Sequence, residues 1–551
     1  MFREIGRPLA VAVCQARSLV AIAGVVRIES RDGYETFRPR CRVGVYGLED
    51  LRCRQVIKAA YRVNSIAFHP SQPMLAIGGG YYDGGFSFHG ELLLANLETG
   101  GTVSALDTSV EVRTVSWRPD RDGRVLDIGV SPTSDNELGR DAFVAGFDGM
   151  VERADWTAVG PGSIGRKELD GPHRPNVGRT TERSARRALR RLARQAGRRW
   201  TYRGAVQDLR MLGDGRFLAA VDGGLLEAWD TDGNPLWSVP GPRGGGRLVP
   251  ERGGDTVWAL SRAFGPPASG SAWRNQLLRC VRYSVHDGTR LRQRSLQASA
   301  YLGRAAGLAA LLPAGAVSPP LLMDTEEDAG GFGGALPRPV ESRASFPGAP
   351  ALLPVRGARV PYALLPATDH GVSSLSGSWV ARVDVVAAAS GSDAAVGDTA
   401  APGPADSAGR AVLRRLFRLP VGSSALGHLG PLAEILDARG PALLVTSEPP
   451  RQGRTAWPVA RFRLPDGRVL WRTDLGARPT ALLHLPSRNL LCVALSDDSL
   501  AVLDARDGSV GHRQRLVVGG LPTTAHTLTE ADDGRLLVGT VDGRVLVVRV
   551  G

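Results

Sequence analysis

Short apolar runs alternate along this chain with tight polar turns at Glu98-Thr99-Gly100, Phe147-Asp148-Gly149, Thr231-Asp232-Gly233, His286-Asp287-Gly288, Pro465-Asp466-Gly467 and Arg506-Asp507-Gly508. An Asp-Gly or Thr-Gly pair supplies the positive φ that a tight hairpin needs, so each turn marks a strand folding back on the next. Around the turns the apolar runs fall into sets of four. Residues 63–106 read "VNSIAF", "PMLAIGG", "ELLLANLETG" and "GTVSAL"; the order recurs at 206–239 and 479–516. Turn separations of 49 residues (Gly100 to Gly149) and 41 (Asp466 to Asp507) approach the length of one four-stranded propeller blade.

The pattern predicts an all-β fold, a single β-propeller over 1–551 built from seven to nine four-stranded antiparallel blades. The candidate blades are 8–58, 62–106, 112–157, 204–240, 246–297, a poorly patterned stretch within 304–419, 430–475, 478–516 and 522–551. The last offers only three strands, so residues 2–6 are expected to add the missing outer strand and close the ring, removing exposed edges. The small, polar composition of 385–410 predicts a flexible loop.

In such a blade the second-to-third connection and the blade-to-blade connection emerge on one face. Long connections at 27–41, 79–90, 131–140 and 262–275, with an insertion at 161–203, therefore predict one elaborated, binding face over blades one to five. Its candidate partner-binding residues are Tyr34, Phe37, Tyr81, Tyr82, Phe86, Trp273 and Arg274, types enriched at binding hot spots. The plainer reading is that these aromatics pin each loop to the ring.

"SIAFHPSQPMLAIGG" at 65–79 and the Trp229-Asp230 pair closing a third strand resemble the WD-repeat propeller family. Asn96-Leu97 and Leu503-Asp504 replace that pair elsewhere, and no Gly-His dipeptide opens a blade. Trp237 and Trp471, each four or five residues after an Asp-Gly turn, resemble the pyrroloquinoline-quinone-type propeller repeat. Both resemblances imply the same ring, and neither carries active-site residues into this sequence.

Charge changes the picture at one place. The chain carries a net +13 from 68 basic residues, of which only Lys58 and Lys167 are lysine. Within 161–203 thirteen basic residues face Glu168, Asp170 and Glu182, giving +10. Residues 181–196 read as a helix capped by Thr180 or Thr181 and stopped by Gly197, with Ala185, Leu189, Leu192 and Ala196 on one face and Arg183, Arg187, Arg190 and Arg194 opposite. Three readings compete: a structural helix with solvated arginines, a dock for an acidic protein surface, and a contact for nucleic acid or anionic lipid.

Catalytic signatures are missing. Neither lysine sits in a phosphate-cradling Gly-Lys-Ser/Thr loop, no H-E-x-x-H pairs any of the nine histidines, and no Gly-x-Ser-x-Gly elbow occurs. Five cysteines without a C-x-x-C pair indicate neither a disulfide frame nor a zinc site. No run reaches the ~18 apolar residues of a membrane-spanning helix. The sequence thus predicts a cytoplasmic, non-enzymatic scaffold without cofactor or metal, a monomeric ring within a complex of other proteins. The alternative is a nucleic-acid-associated propeller using the Arg-rich insertion, and the third reading is an enzyme with a site at the central channel.

Overall fold

The computed structural model describes residues 1–26, 40–82, 88–131, 145–169, 173–175, 182–241, 247–250, 254–263, 276–298, 351–353, 355–356, 362–365, 379–386, 410–418, 429–447, 457–464 and 466–549. Among these, nearly all regular structure is strand, with one α-helix, α1 (Glu182–Gln195), and short 3-10 turns. The strands form antiparallel sheets, mostly of four, ordered by sequence. We label them A (Arg7–Ala59), B (Val63–Ser104), C (Val112–Pro175), D (Val206–Pro240), E (Arg247–Ala298), F (Ala351–Arg418), G (Leu429–Asp474), H (Pro479–Arg515) and I (Ala525–Val548). Sheet G gains a short parallel strand, Val355–Arg356, and a two-strand hairpin, Val517–Pro522, lies between H and I in sequence.

Five of the six expected turns hold, with φ between +70° and +89° at Gly100, Gly233, Gly288, Gly467 and Gly508. The sixth does not: Asp148 and Gly149 lie inside the strand Ala145–Glu152. A Cβ at Gly149 would sit 2.7 Å from Leu169 Cα, so this glycine serves close backbone approach and not a turn. His173–Pro175, within the segment read as an insertion, pairs with Ala145–Phe147 as the fourth strand of sheet C. Val385, Val386 and Arg410, read as loop, belong to strands; 387–409 lie outside the described residues.

The chain divides into two compact units, Met1–Ile28 with Thr36–Gly204, and Ala205–Gly551. In the first, one face of sheet A (Ala21, Ala23, Val43, Val45) packs on sheet B through Leu75 and Ile77. The other face of B (Met74, Ala76, Leu92, Leu94) packs on sheet C through Leu126, Ile128 and Val130. These alternating strands bury both faces and leave little room for polar side chains. The free face of sheet A, with Val20, Ile22 and Tyr46, is covered by Phe2, Ile5, Leu189 and Leu192. Residues 2–6, expected as an extra strand on the last sheet, therefore form no strand and are used here instead. Gly24 lies against the Ile5 carbonyl, and a Cβ at Gly44 would meet the Tyr46 ring at 2.5 Å; larger residues would lift this cover off.

In the second unit, sheet D packs on E through Leu218, Ala220 and Val257, G on H through Leu444, Val459 and Leu491, and H on I through Leu485, Cys492, Leu528 and Val538. Sheet I packs in turn on D through Leu537 and Ala531 against Val206, Leu209 and Phe217, so the unit's first and last sheets are neighbours.

Two devices repeat. In six first strands one extra residue bulges out after the first pair or two, namely Leu9, Asn64, Arg113, Gln207, Thr480 and His526. Four of the polar ones link neighbouring first strands: Asn64 Nδ2 donates to the Val112 carbonyl at 3.1 Å, Thr480 Oγ1 to the Ala525 carbonyl at 2.6 Å, and His526 Nε2 meets Gln207 Oε1 at 3.2 Å. At the other end of the sheets, Trp237 Nε1 donates to the Val285 carbonyl at 2.9 Å and Trp471 Nε1 to the Ala505 carbonyl at 3.0 Å. Each indole lies on the next sheet's turn glycine, Gly288 or Gly508, where a Cβ would come within 2.7 Å and 2.5 Å of the ring. Phe417 occupies the same position over Gly467.

Candidate interaction surface

Helix α1 shows why its sequence puts charge outward. Ala185, Leu189, Leu192 and Ala193 are buried, spaced to form one stripe, and the stripe is consumed by sheet A. Glu182 in the first turn and Arg194 in the last complement the helix dipole. At the end, Gly197 takes φ +66°, with Gly197 N–H to Arg194 O at 3.0 Å and Arg198 N–H to Ala193 O at 2.8 Å, a paired C-terminal closure. The expected caps Thr180 and Thr181 lie outside the described residues.

Opposite the buried stripe, Arg183, Arg187, Arg190, Arg191 and Arg194 are exposed. The acid on the helix, Glu182, is engaged by Arg186, four residues on, and by Arg7 at 3.5 Å. Arg186 also stacks its guanidinium 3.9 Å over the Tyr202 ring. Beneath, Tyr46 O–H donates to Glu4 Oε2 at 3.0 Å, and Phe2 meets Tyr46 edge-on at 4.9 Å. Burial, then the Glu4 carboxylate, drive the Tyr46 hydroxyl well above its usual range, so it stays a donor. The helix is thus fixed on one side and presents like charges on the other, spaced three and four residues apart. Such a row repels itself unless anchored or neutralised.

The structure brings together four of the predicted site residues, Arg183, Arg187, Arg190 and Arg194, on this helix. Tyr81 stands apart from them in sequence: Met74–Tyr82 and Phe88–Asn96 form a long hairpin, and Tyr81 near its tip is 55% exposed. Tyr82 lies in the same strand. Tyr34, Phe37, Phe86, Trp273 and Arg274 lie outside the described residues.

Sequence reading missed the bulged residues of the first strands. Asn64, Arg113, Thr480 and His526 are buried polar side chains, and Glu111 joins the first two, accepting from Asn64 at 3.2 Å and Arg113 at 3.2 Å. A polar residue directly after the first apolar residue of a strand, as in Val63-Asn64-Ser65 and Ala525-His526-Thr527, is the available signal. Chemically these groups stitch sheets together. His69, which the sequence places in a turn, acts similarly: its Nε2 meets the Gly123 carbonyl at 3.0 Å, while Nδ1 accepts from the Ser71 and Gln72 amides at 3.1 and 2.8 Å. Burial lowers its proton affinity, which fits the neutral form with Nε2 as donor.

Among the described residues no group of three or more His, Cys, Asp or Glu side chains is placed to hold a metal ion. Cys14, Cys41, Cys53 and Cys492 carry free thiols. Burial pushes the Cys53 thiol up to about 11 and the Cys492 thiol to about 12, so both remain protonated and unreactive near neutral pH. No helix among the described residues is long and apolar enough to cross a membrane.

Residues 458–550 match the family model described as outer membrane protein assembly factor BamB, a pyrroloquinoline-quinone-type propeller repeat. The match covers the end of sheet G together with sheets H and I, where Trp471 docks on Gly508. No curated protein matches the chain. The crystal structure of the computationally designed Ika8 protein aligns over 99% of this chain and 96% of its own at 10% identity, with a TM-score of 0.17, too low to support any inference.

Proposed function

We propose that this protein is a β-propeller-type scaffold that binds other proteins, without catalysis, and that the arginine face of α1 is its contact for an acidic partner surface. The carrying observation is the division of labour on the helix: its apolar stripe is spent within the first unit, while Arg183, Arg187, Arg190, Arg191 and Arg194 remain exposed. A helix needed only as a cover could present any soluble face. An unbroken row of one sign carries a self-repulsion cost that a complementary surface relieves.

Support for the propeller reading comes from the recurrent four-stranded sheets, the packing of sheet I on sheet D, and the repeat matched at 458–550. On this reading each sheet is a blade, and a role in assembling protein complexes follows the description of the matched family. Free thiols at four described cysteines fit a reducing compartment, and we place the protein in the cytoplasm on that ground.

The test is affinity purification of the full chain and of an Arg187→Gln/Arg190→Gln/Arg194→Gln variant, each with and without nuclease. Protein partners that survive nuclease and vanish with the triple variant are expected. Unchanged recovery with the variant overturns the assignment of α1. Partners lost to nuclease alone, with binding that falls steeply with salt, point to nucleic acid instead.

A further inference from the structure

Among the described residues sheet I has three strands where its neighbours have four, and the turn of the neighbouring sheet on which that strand's side chain would fall is uncovered. Within the second unit, sheets D, G and H each carry a fourth strand antiparallel to the third: Pro235–Pro240, Val469–Asp474 and Val510–Arg515. Sheet I ends at its third, Val545–Val548, paired on one side with Leu536–Thr540. Among the described residues nothing pairs with its other side. Thr540 N–H donates to the Arg544 carbonyl at 2.9 Å, which fixes the alternation of this antiparallel ladder. The main-chain groups of Val545 and Val547 therefore face outward, and the Val547 side chain is 42% exposed.

The second observation is independent of the edge. Where a fourth strand bears an aromatic residue, that ring covers the turn glycine of the next sheet: Trp237 on Gly288, Phe417 on Gly467, Trp471 on Gly508. Sheet I stands before sheet D in this sense, as its packing on Val206, Leu209 and Phe217 shows. The corresponding turn of D is Thr231-Asp232-Gly233. Among the described residues a Cβ built on Gly233 would meet no atom within 4 Å, so none of them fills this socket.

The geometry points to a strand-addition site: the open edge of Val545–Val548 together with the Gly233 turn accepts an extended segment of another polypeptide. That segment runs antiparallel to Val545–Val548 and places an aromatic ring on Gly233. Its required chemistry is given by the fourth strands already present, Pro235-Leu236-Trp237 and Val469-Leu470-Trp471, with an indole at the third strand position. Main-chain hydrogen bonds to Val545 and Val547 supply affinity. The ring on Gly233 supplies selectivity.

The probe is a fluorescein-labelled peptide copying residues 467–476 (Gly-Arg-Val-Leu-Trp-Arg-Thr-Asp-Leu-Gly), titrated with the full chain and read by fluorescence anisotropy. Saturable binding is expected, weakened tenfold or more when the peptide's Trp471→Ala version is used. Val547→Pro in the protein should weaken it similarly, because proline removes an outward N–H while sparing the ladder to Leu536–Thr540. Gly233→Asn, which tolerates positive φ and fills the socket, is the second variant. Absent binding, equal binding by both peptides, or binding by either protein variant as tight as by the unsubstituted chain overturns the proposal. So does slow amide exchange at Val545 and Val547 in the free chain, since the edge would then already be paired from within.

Discussion

The packing of Trp471 on Gly508 is open to a double-substitution cycle whose outcome differs from simple addition. Trp471 is 7% exposed and donates to an Ala505 carbonyl that also accepts from Arg461 Nη1 at 2.8 Å. Trp471→Ala leaves that carbonyl satisfied, so its cost is chiefly the cavity, about 3–5 kcal/mol. Gly508→Ala incurs two penalties. At φ +76° the left-handed backbone costs an alanine about 1–2 kcal/mol. The new methyl, 2.5 Å from Trp471 Cε3, adds about 1–3 kcal/mol of overpacking. With the indole removed the overpacking against the ring is relieved, while the backbone penalty and the 2.7 Å approach to Thr473 Oγ1 remain, so the double variant should be less destabilised than the sum by about 1–3 kcal/mol. Urea unfolding followed by tryptophan-independent circular dichroism reads the four midpoints. Additivity within about 0.5 kcal/mol would show that the ring does not rest on the glycine.

Other outcomes follow from the same packing. Leu189→Ala, beneath the fully buried face of α1, should cost about 2–5 kcal/mol and release the helix, seen as faster amide exchange over 182–195. His69 and His484 are both held below the ordinary histidine range, first by burial. The unfolded chain therefore binds more protons below about pH 6.5, stability falls as pH drops from 7 toward 5, and His69→Gln should flatten that slope in thermal melts. Asp437→Asn, which removes the charge facing the buried Arg461 at 2.8 Å, should lower the melting temperature more than Asp466→Asn at the exposed Arg463 pair.

Much of the architecture was legible because turn chemistry and apolar alternation are local. The Asp-Gly and Thr-Gly turns and the strand sets around residues 63–106, 206–239 and 479–516 needed no tertiary information. Asp148-Gly149 misled because glycine in a strand and glycine in a turn look alike; only the approach of Leu169 separates them. Residues 2–6 misled for a similar reason. Their apolar Phe2 and Ile5 would suit a strand or a lid, and the choice depends on a helix some 180 residues away in the sequence. For the candidate surface, the polarity of α1 could be read at once from its 3.6-residue period. The bulged Asn64, Thr480 and His526 could not, since an extra residue in a ladder has meaning only beside its partner strand.

The cover over sheet A has a consequence for synthesis. Strands between Arg7 and Ala59 leave the ribosome long before Leu189 and Leu192, yet Val20, Ile22 and Tyr46 need those leucines for shelter. For the time taken to translate more than a hundred further codons, the nascent first unit holds a greasy flank that invites chaperones or self-association.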